Sequence, residues 1–324
     1  SYAWERLDAA AHQLDRPDHR RSVAQKVTEI KPHIAGAWIE YARSLGVEEK
    51  FQEAHRAIDR AESIDPYRED IHIGRARLHM SSGDFASAID ALCPPIYPVV
   101  PASLEATRAQ MLWDLGRQDE AYELIRRTAQ QEPGHLGIWS RLEQWAMIRG
   151  DRQQAIEAIE HQMQAQPHDP DVLDAAGNAL ATLDDKPRAI KAFQRTIEIA
   201  PAFAGSRCSL FDLLVQQEQW DQAAAIINDL PRCDQHPTVI ARRMQIAVHE
   251  NDPESVRQDF DTIVSSNPWS SWAVDRAVEL MNQVGMASIV RQRVDQALTD
   301  KGSNREFGRI WACLLYTSPS PRDS

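Results

Sequence analysis

Ala121, Ala155, Ala189 and Ala223 recur at one fixed interval of 34 residues, and Pro133, Pro167 and Pro201 keep the same beat. An interval of that length is the span of one helix hairpin, which has an apolar face too large to leave in water. A chain that repeats such a unit buries each face against the next. The repeat therefore predicts an all-α chain, an α-solenoid of about nine stacked hairpins, and outweighs the two-domain prior that 324 residues alone would give.

The beat places units near 1–34, 35–68, 69–101, 102–135, 136–169, 170–203, 204–236, 237–270 and 271–304, with a partial one over 305–312. In the first, Trp4 and Leu7 share a helical face, while Asp15 and Pro17 fit the cap and first turn of a second helix. The interval slips to 33 between Ala88 and Ala121, where the run from Cys93 to Pro101 carries four prolines. Proline cannot continue a helix, so a short second helix and an extended connector are expected, with a hinge or a Pro-motif ligand as the sharper alternative. Past Pro231 the pattern loosens, because Val256 and Val290 stand where alanine stood. Residues 313–324 look like a translated sequencing adapter, so a non-native, disordered tail is expected on a gene fragment open at both ends.

Counted within each unit, a large residue comes fourth (Trp38, Trp139) and small ones eighth (Ala42, Gly177), twentieth (Ala54, Ala155) and twenty-seventh (Ala61). A proline comes thirty-second (Pro66, Pro167, Pro201). This pattern resembles the tetratricopeptide repeat (TPR) family from Ser1 to Asn304, as a piece of a longer bacterial-type array. The resemblance implies a right-handed superhelix. Its physical basis is separable: small residues let antiparallel helices approach, bulky ones fill the gap to the next hairpin, and proline stops each second helix. Trp4, Trp38 and Trp139 are accordingly core residues. The usual eighth-place glycine is present only at Gly177, with Ala42, Ala76 and Ala109 elsewhere.

A formal net charge of −12 without a Lys/Arg-rich block disfavours nucleic acid. No apolar run is long enough for a membrane span, and a cytoplasmic location is expected. Cys93, Cys208 and Cys233 lack metal spacing and read as small apolar fillers in a reducing compartment. The nucleotide-binding, zincin and hydrolase motifs are all missing, so no catalytic residue, cofactor or metal is assigned. His72 and His79, seven apart on one helix, are a weak pair for metal.

TPR arrays bind extended peptides along a concave surface formed by their first helices, chiefly at the second, fifth, ninth, twelfth and thirteenth places. The resemblance maps that surface here onto the ninth places Ala9, Arg43, Arg77, Gln110, Gln144, Asn178, Asp212, Gln245 and Glu279, which pass from basic through amide to acidic, and onto the twelfth places Met80, Trp113 and Met147. Such a ladder would hydrogen-bond a peptide backbone and orient it by charge. Trp113 is the first choice for an anchor, with inter-unit packing as the alternative. The fifth places Glu5, Ile39, Ile73, Ala106, Ser140 and Asp174 hold no lysine, so the carboxylate clamp of some TPR proteins is not expected. The expected role is a scaffold for a protein or peptide partner. Alternatives are the regulatory or substrate-recruiting arm of a larger enzyme, such as a glycosyltransferase or peptidase, and self-association through uncapped ends.

Overall fold

What turns this chain back on itself is one left-handed residue per hairpin. In the computed structural model, which describes residues 17–228, 236–265 and 270–299, the fifteenth place of each hairpin has positive φ, between 56° and 82°. Glycine fills it at Gly83, Gly116, Gly150 and Gly285; Glu49, Asp184, Glu218 and Asn251 fill it elsewhere. The next backbone N–H then donates to the carbonyl five residues back, as from Lys50 to Leu45 at 3.0 Å and from Asp185 to Leu180 at 2.9 Å. This closure satisfies an orphan carbonyl at the helix end and aims the chain into the second helix. Aspartates at the following place, Asp84, Asp151, Asp185 and Asp252, accept from the first-turn backbone N–H groups of that helix.

A left-handed glutamate or aspartate carries a steric cost that glycine avoids. Replacing Glu49 or Glu218 by glycine is therefore expected to stabilise the chain by about 0.5–1 kcal/mol each. Asn251→Gly should give less, because asparagine tolerates this conformation. Urea midpoints followed by circular dichroism check the order; a loss of stability at Glu49→Gly would contradict it.

The chain clusters into two compact units, residues 1–165 and 166–324. The first unit holds α1 (Pro17–Ile30) and four hairpins: α2 (Ala35–Val47) with α3 (Phe51–Ile64), α4 (Glu69–Ser81) with α5 (Phe85–Asp90), α6 (Ala102–Asp114) with α7 (Gln118–Gln131), and α8 (Leu136–Arg149) with α9 (Arg152–Ala165). The second holds α10 (Pro170–Thr182) with α11 (Lys186–Ile199), α12 (Ala204–Gln216) with α13 (Trp220–Asn228), α14 (Pro237–His249) with α15 (Pro253–Ser265), and α16 (Ser271–Gln283) with α17 (Ala287–Thr299). Within each, a first helix packs on its own second helix and on the next first helix, as α2 does on α3 and α4, and α12 on α13 and α14. All described elements are helical. The fold is a TPR-type helical-repeat fold.

The twentieth-place residues Ala54, Ala88, Ala121, Ala155, Ala189, Ala223 and Val256 are all fully buried. At 0% exposure they leave no room for a longer side chain between the paired helices. A second recurrence was invisible in the sequence. Where the fourth place holds tryptophan, histidine or arginine, its side chain reaches back six residues to the carbonyl of the preceding thirty-second-place proline. Trp38 Nε1 donates to Pro32 O at 3.0 Å, Trp139 Nε1 to Pro133 O at 3.0 Å and Arg207 Nε to Pro201 O at 2.8 Å. His72 Nε2 lies 3.4 Å from Pro66 O. The large fourth residue thus fills space and ties the inter-hairpin turn to the helix that follows.

The expected short second helix is α5, with 6 residues where α3 and α7 have 14. Its connector is fastened by Tyr97, whose hydroxyl donates to Tyr67 O at 2.8 Å while its ring meets the Tyr67 and His72 rings edge-on. Cys208 is buried, as a filler must be, whereas Cys93 is exposed in the proline-rich connector, and to that extent the filler reading is corrected. Trp4, Glu5, Leu7, Ala9, Asp15, Pro231, Cys233 and all expectations beyond Thr299, including the tail, lie outside the described residues.

Candidate partner-binding surface

In the first unit, α2 and α4 lie side by side, and a cleft of about 340 Å³ opens between them. Arg43 and Arg77, one helical repeat apart in sequence, both line it. Arg43 pairs with Glu40 of its own helix at 3.1 Å, while no carboxylate partner for Arg77 is found among the described residues. Met80 does not share that surface. It packs, partly buried, against the core formed by Ala76, Ala88, Leu92, Leu104 and Met111.

Farther along the same unit, Trp113 of α6 stacks flat on Trp145 of α8, with ring centroids 4.3 Å apart and planes at 6°. Trp145 is only 3% exposed, with the Arg141 guanidinium 5.8 Å from its ring centre, so Trp113 spends the stacked face of its ring on packing and is itself half-buried. Sequence reasoning missed Trp145, which sits at the tenth place rather than at a groove place. Gln110 donates to Asp114 at 2.7 Å. Gln144 is exposed, Met147 is half-buried, and Ile148 beside them is 69% exposed.

The second unit treats its ninth places differently. Asn178 on α10 is exposed but hydrogen-bonded: its amide nitrogen donates to Asp174, and its oxygen lies 3.3 Å from the Ser209 hydroxyl of α12. Asp212 accepts two bonds from the Arg242 guanidinium of α14, at 2.9 and 2.5 Å. Arg242 in turn lies 4.6 Å from the Trp272 ring centre on α16. The carboxylate therefore serves to hold α12, α14 and α16 together.

Two groups depart from the pattern. Glu143 stands at the eighth place, where small residues are the rule; burial pushes its carboxyl above the usual range, partly offset by the bond it accepts from Gln162 at 2.6 Å. A folded-state acid raised in this way favours its protonated form, so the stability it contributes is present at low pH and is lost as pH rises through the folded value. Glu143→Gln should accordingly raise the urea midpoint at pH 7, and the gain should vanish below about pH 4, near the ordinary carboxylate value. An equal gain at both pH values would contradict this. His79 meets His55 of α3 at 4.5 Å rather than His72, which is buried, and no group of three or more metal-type ligands exists among the described residues.

A family model described as ChAPs (Chs5p-Arf1p-binding proteins) matches residues 99–283. Among solved structures, the C-terminal part of a TPR repeat-containing protein from Cytophaga hutchinsonii superposes with a TM-score of 0.53 at 15% identity, over 74% of this chain and 98% of that one. YrrB, described as a TPR protein with an unusual peptide-binding site, gives 0.36 at 16% identity over 56% of this chain and 95% of its own. No curated protein matches the chain. Among the described residues no helix is long and apolar enough to cross a membrane.

Proposed function

Because the chain belongs to the ChAPs (Chs5p-Arf1p-binding proteins) family, we propose that it is a non-enzymatic scaffold that holds a protein partner against the faces of its first helices. The family's own description names proteins as what its members bind, and a protein-interaction role follows for this chain at that level. The finer reading is that the partner contacts first helices, those of the first unit (α2, α4, α6 and α8) forming one candidate face and those of the second (α10, α12, α14 and α16) another. One observation supports it above the others. The repeated alanines are used up in packing, yet α8 leaves Gln144 exposed and Ile148 69% exposed on a single helical stretch. Isolated apolar side chains on a surface are ordinary; one placed beside an amide able to pair with a peptide backbone is a useful anchor.

The test is the pair Gln144→Ala with Ile148→Asp, both exposed and both compatible with a helix. Retention of the native partner in quantitative affinity purification should fall by about tenfold, the effect of losing one good contact. The helical signal should stay unchanged. Equal retention by the variant would count against the first-helix surface.

A further inference from the structure

We infer that the cleft between α2 and α4 is a docking pocket for an acidic extended segment of the partner, one in which an aliphatic side chain stands next to an aspartate or glutamate. This rests on the first-helix reading above and supplies the chemistry of one stretch of it. The lining is of two kinds. Ile39, Ala42 and Ile73 give an apolar floor, while Arg43 and Arg77 stand at the rim with Val47, which is 62% exposed. Gly46 and Gly74 let the helices around the cleft approach closely, and neither position has room for a side chain. A Cβ on Gly46 would come within 2.7 Å of Leu78, and one on Gly74 within 3.1 Å of Ile58.

Charge complementarity selects the occupant. The chain carries a formal net charge of −12, yet this cleft gathers two guanidinium groups. Its own carboxylate, Asp70, is already engaged by Arg68 through two bonds of 2.9 and 2.6 Å. That pairing holds the Asp70 carboxyl below the usual range and leaves it a weak competitor for the rim. Arg43 is exposed and is shared with the half-buried Glu40 three residues away, a helix-surface pair of the kind that contributes little. Arg77 has no carboxylate partner among the described residues. A guanidinium fork offers bidentate bonding to an incoming carboxylate, and an adjacent leucine or isoleucine would cover the floor.

The test uses fluorescein-labelled twelve-residue peptides on a Gly-Ser background with the central sequences Leu-Asp-Leu-Asp, Leu-Asn-Leu-Asn, Ser-Asp-Ser-Asp and Leu-Lys-Leu-Lys, measured by fluorescence polarisation against the full chain. The Leu-Asp probe should bind most tightly and weaken with added salt. Arg77→Gln should weaken it by about tenfold, as for one lost charge-assisted bond. Arg77→Glu together with Arg43→Glu should turn preference toward the Leu-Lys probe, an inversion that a merely structural change would not produce. Equal binding of the aspartate and asparagine probes, no binding of the Leu-Asp probe, or no effect of the arginine variants would each overturn the inference. The outcomes separate from those of the first-helix reading. If Gln144→Ala with Ile148→Asp releases the partner while the arginine variants leave probe binding unchanged, the surface stands and this pocket falls. If the arginine variants invert probe preference while the α8 variant keeps its partner, the pocket stands and the extended surface falls.

Discussion

Replacing Trp139 by alanine is expected to cost about 3–5 kcal/mol, the range for emptying a fully buried aromatic site. Trp139 is 1% exposed, stacks on His161 with centroids 4.0 Å apart, and donates its indole N–H to Pro133 O. The truncation removes the fill between hairpins and also the tie on the turn that leads into α8. Trp139→Phe separates the two contributions: it keeps most of the apolar volume and loses the donor, at about 1 kcal/mol. Repeat proteins need not unfold in one step. Hydrogen exchange along α7, α8 and α9 is therefore the sharper readout, with protection lost there first. A Trp139→Ala protein within about 1 kcal/mol of the original would mean that the fourth-place residue is not what joins successive hairpins.

Gly177→Ala comes next, at about 1–3 kcal/mol for a methyl forced into a filled core. A Cβ at Gly177 would lie 2.5 Å from Phe193 Cε1 and within 2.8 Å of two further ring carbons, and Phe193 is fully buried on α11. The ring has nowhere to retreat. Removing ring atoms should relieve the clash, so Phe193→Leu with Gly177→Ala should be less destabilising than the sum of the single changes. A double-mutant cycle by urea unfolding reads that coupling. Strict additivity would show that the close approach of α10 and α11 does not depend on this pair.

The spacing of Ala54, Ala155 and Ala189, together with the prolines, made the hairpins legible in the sequence, because close helix packing and helix termination each demand particular residue types. The proline cluster after Cys93 likewise marked the stub α5. Less legible were features that any of several residues can supply. Glu49, Asp184 and Glu218 take the left-handed place without a residue type that announces it. The fourth-place tie is made by tryptophan or arginine alike, with His72 beside Pro66 in the same position, since all that is needed is reach and a nitrogen donor.

For the candidate surface, counting ninth places brought Arg43 and Arg77 into one cleft. It gave no hint that Asp212 faces Arg242, or that Trp113 lies on Trp145. Those pairs depend on how far one first helix slides past the next, and a period of fixed length does not encode the slide. Glu143 was overlooked for the opposite reason. Between Ala109 and Gly177 a carboxylate breaks the run of small eighth-place residues, and the signal lay in that break, although Phe211, Met244 and Val278 depart from it as well.

The most direct measurement is photo-cross-linking with benzoylphenylalanine placed at Gln144 and Asn178 on first helices and at Gln130 and Gln194 on second helices, all four exposed. The account predicts partner adducts from positions 144 and 178 and none above background from 130 and 194. Adducts forming equally on both sets, or only on the second helices, would contradict it.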